Sequence, residues 1–368
     1  VSSPDNNTPT IRHNCLLTLA EGIVRIMINV GIVGCGYWGP NLIRNFSDVD
    51  GARVAAVCDL SQDRLQGISR RMPTVDTTTN YRELVRNPAI DAVVVATPVS
   101  SHYPIALAAL QNGKHVLVEK PMTETSDQAA RLIDEAAKRN LILMVDHTFI
   151  YTPAVRKIKQ LIAGGDIGHI HYYDSLRVNL GLFQRDVNVI WDLAVHDLTI
   201  IDHLLGPSVT ALSASGASHV RGSPESMATL TLFFDQGTIA HVNVNWLAPV
   251  KVRQLHIGGS KKMIVYDDLQ ISEKVKVYDK GVTVAEDTDQ LHQLLIGYRS
   301  GDMWAPQLPA QEALRIEAQH FIDCIETQNT PITDGPTGLR IVRLLEAASW
   351  SMAQRGQPID LQLTRIAS

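Results

Sequence analysis

The sequence predicts an α/β protein: an N-terminal doubly wound parallel sheet, then a C-terminal α/β domain on a large, mostly antiparallel open sheet. Three observations predict it. Strand-like and helix-like segments alternate between residues 29 and 146, the pattern of a parallel sheet covered on both faces. The first strand runs directly into Gly34-Cys35-Gly36-Tyr37-Trp38-Gly39, and a helix-like segment follows from Pro40. Between Val209 and Val277 the chain reads instead as successive strands and turns, with the period-two alternation of an antiparallel sheet that has one face on a core.

Composition narrows the function classes. The chain has 368 residues, more than one core usually serves. The expected division is an extension over 1–28, a first domain over 29–147 and a second over 148–368. The chain is 45% hydrophobic and 19% charged, with a formal net charge of −5. That balance offers no basic surface for nucleic acid or membrane, and no apolar run approaches the ~20 residues of a membrane span. Cys15, Cys35, Cys58 and Cys324 are scattered without a CxxC pair, so neither a zinc site nor a disulfide framework is expected, and reduced thiols fit a cytoplasmic setting. The first residues are polar up to Asn14, and Glu21 and Arg25 interrupt the apolar stretch that follows. They lack the plan of a signal peptide and are expected to stand outside the fold.

In order along the chain, Val30–Val33 is the first strand. In the turn after it, Gly34 permits the tight exit, Gly36 lets the backbone approach a pyrophosphate, and Gly39 lets the helix pack close to the strand. Cys35, Tyr37 and Trp38 fill the turn, and the helix N-terminus offers N–H groups and positive potential to phosphates. Ala52–Cys58 is a second strand ending at Asp59, 20 residues after Gly39. A carboxylate there accepts from adenosine ribose hydroxyls and repels a 2′-phosphate, which favours NAD over NADP. Arg64 on the next helix softens that preference, and a helix-capping role for Asp59 is the plainer alternative. Asp91–Thr97 is a buried strand stopped by Pro98, with His102 at the next helix entry. His115–Glu119 repeats the arrangement, and Pro121 holds Lys120 extended at the same carboxyl edge. Leu141–Val145 closes the run of strands. Beyond it come a helix over Pro153–Ala163, a strand over Ile167–Val178, an amphipathic helix over Asp192–Leu205, and two terminal helices over Ala310–Thr327 and Gly335–Gln354.

The candidate chemistry lies in Lys120, Asp192 and His196. Asp192 and His196 are spaced i, i+4, so a helix puts both on one face, where a carboxylate orients an imidazole and raises its basicity. A helix histidine satisfied by its neighbour is the structural alternative. No ligand cluster with metal spacing accompanies them, so no metal is expected. There is no Gly-x-Ser-x-Gly elbow and no phosphate-loop lysine.

The order Gly34-x-Gly36-x-x-Gly39, Ala96-Thr97-Pro98 with His102, Glu119-Lys120-Pro121 and Asp192-x-x-x-His196 resembles the Gfo/Idh/MocA oxidoreductases over about residues 28–360. The Glu-Lys-Pro triplet is the specific part. The resemblance implies a Rossmann domain, NAD(P)-dependent hydride transfer on sugars or cyclitols, and a homodimer or homotetramer formed through the C-terminal sheet. It places Lys120 and His196 beside the reacting hydroxyl with Asp192 near them, and the sequence leaves open which of the first two is the base. Thr97, Pro98, His102, Glu119, Lys120 and His147 join the glycine turn, Asp59 and Arg64 as cofactor-binding candidates. Many relatives carry a Gly-Gly pair and an Asp-x-Gly-x-His helix where this chain has Val187-Asn188 and Ala194. The stretch from Asn179 to Asp192 is more similar to the branch acting on UDP-N-acetylglucosamine or its uronate at C3. Tyr151, Arg177, Asn179, Gln184, Asn188, Trp191 and Arg299 are the candidates for a nucleotide-sugar pocket. A 3-ketosugar reductase, or another sugar or cyclitol dehydrogenase of the family, is the alternative expectation.

Overall fold

A computed structural model describes residues 27–181, 187–284 and 296–361. The expected extension falls on residues outside this description, apart from Met27 and Ile28, as does Gln184.

Six strands, β1 (Ile28–Val33), β2 (Ala52–Cys58), β3 (Asp76–Thr78), β4 (Ala92–Val95), β5 (His115–Glu119) and β6 (Leu143–Asp146), form a parallel sheet in the order β3-β2-β1-β4-β5-β6. The helices α1 (Gly39–Asp48), α2 (Gln62–Arg71), α3 (Tyr81–Arg86), α4 (Val99–Gln111) and α5 (Ser126–Arg139) connect them. The run Ala92-Val93-Val94-Val95 of β4 is buried along its whole length, as expected for a strand covered on both faces. The order reverses between β1 and β4, and such a switch point opens a crevice at the carboxyl ends of the strands. The glycine turn, Thr97 and Lys120 all leave the sheet at that edge.

The second sheet comprises β7 (Ile170–Leu180), β8 (Val209–Ala217), β9 (Met227–Phe234), β10 (Ile239–Asn245), β11 (Leu247–Gly259), β12 (Met263–Asp267) and β13 (Val275–Tyr278). A two-stranded ribbon of β14 (Gly281–Val284) and β15 (Ile296–Arg299) stands apart from it. Two short strands, β16 (Met303–Trp304) and β17 (Ile359–Asp360), close the sheet at its edges. Its order is β16-β13-β12-β11-β7-β10-β9-β8-β17, antiparallel except for the β7–β10 pair. Alternation decides which face is inside. Val242, Val244 and Trp246 are buried, whereas His241 and Asn243 face outward, since successive side chains point to opposite faces.

Helices α6 (Pro153–Ala163), α7 (Val195–Leu205), α8 (Ala313–Thr327) and α9 (Gly335–Ala353) complete the second half, with α9 against β8 and β17 and α8 against α1. One hydrophobic core runs from β1 and α1 through α6, α7 and α8 into the inner face of the second sheet. A second core fills the opposite face of the parallel sheet and includes Val342 of α9. The last helix therefore completes packing around strands laid down much earlier in the chain, with Val145 N–H donating to the Thr333 carbonyl nearby.

Candidate active site

The turn after β1 has the conformation that phosphate binding requires. Gly34 has φ +102°, and a Cβ there would lie 2.3 Å from the Ala96 carbonyl oxygen. At Gly39 a Cβ would lie 2.1 Å from the Gly34 oxygen, so only glycine permits this approach of helix to strand. Above Gly36 the space is open, since a Cβ would meet nothing nearer than Arg64 Nη1 at 4.0 Å. Helix α1 starts with no capping side chain and no acidic residue in its first turn, which leaves its N-terminal potential for an anion. Asp59 is buried at the end of β2. Its carboxylate accepts from Cys35 N–H at 2.7 Å and Ser61 N–H at 2.8 Å, with Arg64 Nη1 3.4 Å away. The capping of α2 falls to the Ser61 hydroxyl, so Asp59 braces the turn while keeping lone pairs for a ribose. Tyr37 and Leu60 are each 90% exposed on either side. These features fit a dinucleotide laid across the strand ends.

Thr97 and Pro98 lead into α4, and His102 is inside rather than at the cofactor surface. Its Nδ1 lies 2.8 Å from the Pro121 carbonyl and its Nε2 2.7 Å from the Thr97 carbonyl. Burial first lowers its pKa, while the two carbonyls oppose that shift. His102 thus ties together the two loops that carry Thr97 and Lys120. His147 is also buried. Its Nδ1 faces the Thr199 hydroxyl at 3.2 Å, and its Nε2 has no partner. Burial, then the neighbouring Lys120, pushes its pKa down to about 3.

Lys120 follows β5 through a cis peptide to Pro121. Its ammonium lies 2.9 Å from the Asp192 carbonyl and 3.5 Å from Asp192 Oδ1. Asp192 Oδ2 accepts from the Trp246 indole at 3.0 Å. The expected Asp192–His196 pairing does not form: the two side chains share no hydrogen bond. The cause is local geometry. Residues Ile190–Ala194 form a π-helical turn, and α7 begins only at Val195, so the spacing argument crosses a change of helical pitch. Asp192 instead joins the two sheets by holding Lys120 and Trp246.

His196 faces the same cleft, its ring edge-on to Phe149 with centroids 4.7 Å apart. Neither ring nitrogen has a partner among the described residues. Burial, followed by the charges of Lys120, Arg177 and Arg253, holds its pKa well below the usual histidine range. Phe149 is itself flanked by the guanidinium of Arg177 at 4.4 Å and that of Arg253 at 5.4 Å. Arg177 is buried and pairs with Asp197 through Nε at 2.6 Å and Nη2 at 3.3 Å, while its Nη1 is unpartnered. A small cavity lined by Phe149, Arg177, Asp197, Arg253, Tyr266 and Asp268 adjoins these groups.

Four other pocket candidates, Tyr151, Asn188, Trp191 and Arg299, make structural contacts. Tyr151 lies in the core, its hydroxyl 3.2 Å from that of Thr333. Asn188 caps the π-helical turn, accepting from Ile190 and Trp191 N–H at 3.1 and 3.3 Å. Trp191 packs against both cores and donates to Ser349 at 2.9 Å. Arg299 pairs with Asp279 at 3.0 Å and bonds the Lys261 carbonyl, at the end of the second sheet opposite the Arg177 end of β7. Asn179 lies near the end of β7, beside Gly181. Spacing alone did not single out Asp146, Phe149, Asp197, Trp246, Arg253 or Glu317. Glu317 had one signal: it interrupts the apolar stripe of α8 between Leu314 and Phe321, where a charge is out of place.

The family model described as oxidoreductase family, NAD-binding Rossmann fold, matches residues 28–147, and the GFO/IDH/MocA C-terminal domain matches residues 155–265. The chain belongs to this family. It is an NAD-binding oxidoreductase of the group that includes sugar and cyclitol dehydrogenases. UDP-N-acetylglucosamine 3-dehydrogenase of Acidithiobacillus ferrooxidans is 26% identical over 325 residues, covering 86% of this chain and 95% of that protein. scyllo-Inositol 2-dehydrogenase (NAD(+)) of Bacillus subtilis is 24% identical over 355 residues, covering 92% of this chain and 97% of that protein. A solved structure of the Acidithiobacillus enzyme shares the fold at a TM-score of 0.76 and 24% identity, covering 89% of this chain and 99% of that one. Among the described residues no helix is long and apolar enough to cross a membrane.

Proposed function

We propose that this oxidoreductase uses NAD to oxidise a secondary hydroxyl, C3 of a nucleotide-linked amino sugar such as UDP-N-acetylglucosamine or its uronate. The arrangement that carries the chemistry is Lys120, fixed by Asp192, beside an unpartnered His196 whose pKa burial and the Lys120 charge hold down, at the carboxyl edge of the parallel sheet. His196 takes the hydroxyl proton, because its surroundings keep it in the neutral form that a base needs. Lys120 turns a remaining N–H toward the same oxygen and steadies the alkoxide as charge develops. Asp192 fixes the lysine rather than the histidine. The Gly34–Gly39 turn, Asp59 and the strand ends at Thr97 and Glu119 would hold NAD, which supplies the hydride acceptor. Glycine at 34 and 39 and the uncapped α1 support this placement.

The sugar is supported by the pattern from Asn179 to Asp192 and by the Acidithiobacillus relative. Arg177 Nη1, buried and unpartnered beside Phe149, adds a donor near the cleft. NADH formation should be followed with the full-length protein across UDP-N-acetylglucosamine, its uronate, free hexoses and inositols. Turnover is expected with a UDP-sugar and little with its free sugar. Turnover confined to inositols or free sugars would overturn the substrate, and unchanged turnover in Lys120→Ala would overturn the site.

A further inference from the structure

Glu317 is the buried acid for which the chemistry above has no use. It lies on α8 with no exposed surface, and both carboxyl oxygens lack a hydrogen-bond donor. The helix lies beside α1, with Phe321 edge-on to Phe46 at 6.2 Å. Helix α8 packs on the turn Thr148–Tyr151, and the Glu317 carboxyl faces Asp146 at the end of β6, also buried, which accepts from the Trp38 indole at 3.2 Å and from the Thr148 hydroxyl. Asp146 is register partner of Glu119 on β5, and Glu119 Oε2 accepts from Lys120 N–H at 2.9 Å. Three carboxyl groups thus meet under the glycine turn, one of them brought by the C-terminal half of the chain.

Three carboxylates drawn together out of water cannot all keep their charge, because each costs several kcal/mol to desolvate without donors. Glu317 has the least support. Thr148 and Trp38 spend their hydrogens on Asp146, Tyr151 is engaged with Thr333, and Lys120 with Asp192. A carboxyl group that retains its proton removes the conflict, since it becomes a donor to the carboxylate it faces.

We propose that Glu317 is a positioning residue: as an un-ionised acid it donates a hydrogen bond to Asp146, and Asp146 so fixed anchors Trp38 and holds negative charge under the nicotinamide half of the cofactor site. Burial, and then the nearby Asp146, holds the Glu317 pKa well above the usual carboxyl range, and Glu119 is raised for the same two reasons. In a sheet of this order the nicotinamide half lies over β4 to β6, the strands that end at Thr97, Lys120 and Asp146. Oxidised nicotinamide is a cation and the reduced ring is neutral. A carboxylate kept in place beneath it therefore favours NAD over NADH, the order of binding an oxidation needs. The inference rests on the cofactor site of the family and is independent of the sugar assigned above.

The test reads the proton first. The infrared difference spectrum between wild-type protein and Glu317→Gln at pH 7 should contain the carbonyl stretch of an un-ionised acid. Carboxylate bands there would overturn the proposal. The second arm is binding of NAD and NADH, without sugar, to the full chain. Glu317→Leu should weaken NAD about tenfold and NADH much less, the loss expected when a buried acceptor is left unsatisfied. Glu317→Gln, which keeps a donor and no charge, should recover most of that loss. Equal loss of both cofactor forms, or no recovery in the glutamine variant, would overturn the positioning role and leave Glu317 with packing only. If the leucine variant does not fold, the spectrum of the glutamine variant still decides the protonation state.

Discussion

Around Phe149 the protein buries Arg177 against Asp197 and sets Arg253 against Asp268 at 3.3 Å. Beneath Trp38 it gathers Glu119, Asp146 and Glu317. Both regions take charged groups out of water, and they meet that cost differently. The first matches each guanidinium with a carboxylate and leaves the cations to act on His196. The second keeps protons on Glu119 and Glu317, whose pKa values are raised by burial. Ion pairing preserves charge over a wide pH range, whereas protonation makes the charge of a site depend on pH. Lys120 lies between the two regions, bonded by its ammonium to Asp192 and by its backbone to Glu119.

The largest effect should come from removing that link. Lys120→Ala should lower kcat by about 10²–10⁴, and pre-steady-state hydride transfer would show whether the loss is in chemistry. Next, Asp197→Ala leaves Arg177 charged, buried and unpaired, and should cost about 3–5 kcal/mol in urea unfolding. Glu317→Gln should cost far less, because it leaves no naked charge. A similar cost for both would remove the contrast between the regions.

The third expectation concerns pH. Glu119 and Glu317 are raised above the ordinary 4.5, so the folded chain holds protons that the unfolded chain releases, and stability falls as pH rises through and beyond that value. His147 and His115, lowered to about 3 and about 4, act in the opposite sense. Below the ordinary 6.5 the unfolded chain takes up protons that these buried rings refuse, and stability falls on acidification. Each proton contributes a slope of about 1.4 kcal/mol per pH unit. Stability measured against pH should therefore pass through a maximum, and Glu317→Gln should flatten only the alkaline side. In activity, the acid limb assigned to His196 should lie below pH 6.5, since its pKa is depressed. A limb at or above that value would remove His196 as the base. The smallest effect is expected at Arg299→Ala. A half-exposed ion pair with Asp279 is worth about 1 kcal/mol or less, and KM for the sugar should not change.

The glycine turn, Asp59 and Glu119-Lys120-Pro121 were legible in the sequence because each depends on neighbours a few residues away. A strand, a tight turn and a helix start dictate glycine at 34 and 39, and alternation dictated which face of β10 is buried. The short strand β3 and the π-helical turn were not legible. The pitch change at Ile190–Ala194 comes where Asn188 caps the turn and Trp191 reaches Ser349 in distant α9. That is why Asp192 turned to Lys120 and Trp246 rather than to His196.

The pocket candidates show the same limit. A tyrosine, an asparagine and a tryptophan have the same formula whether they bind a sugar or hold a helix. The core around Tyr151, the cap at Asn188 and the indole bond of Trp191 are contacts that no residue type announces. By itself the sequence determined the fold class, the dinucleotide turn and the lysine beside it, since local backbone geometry admits few residues at those positions. Only the tertiary structure decided the partner of Asp192, the cations around His196 and the carboxyl group that Glu317 brings beneath Trp38. Burial and charge pairing are set by segments far apart in the chain, and no local spacing records which of them will meet.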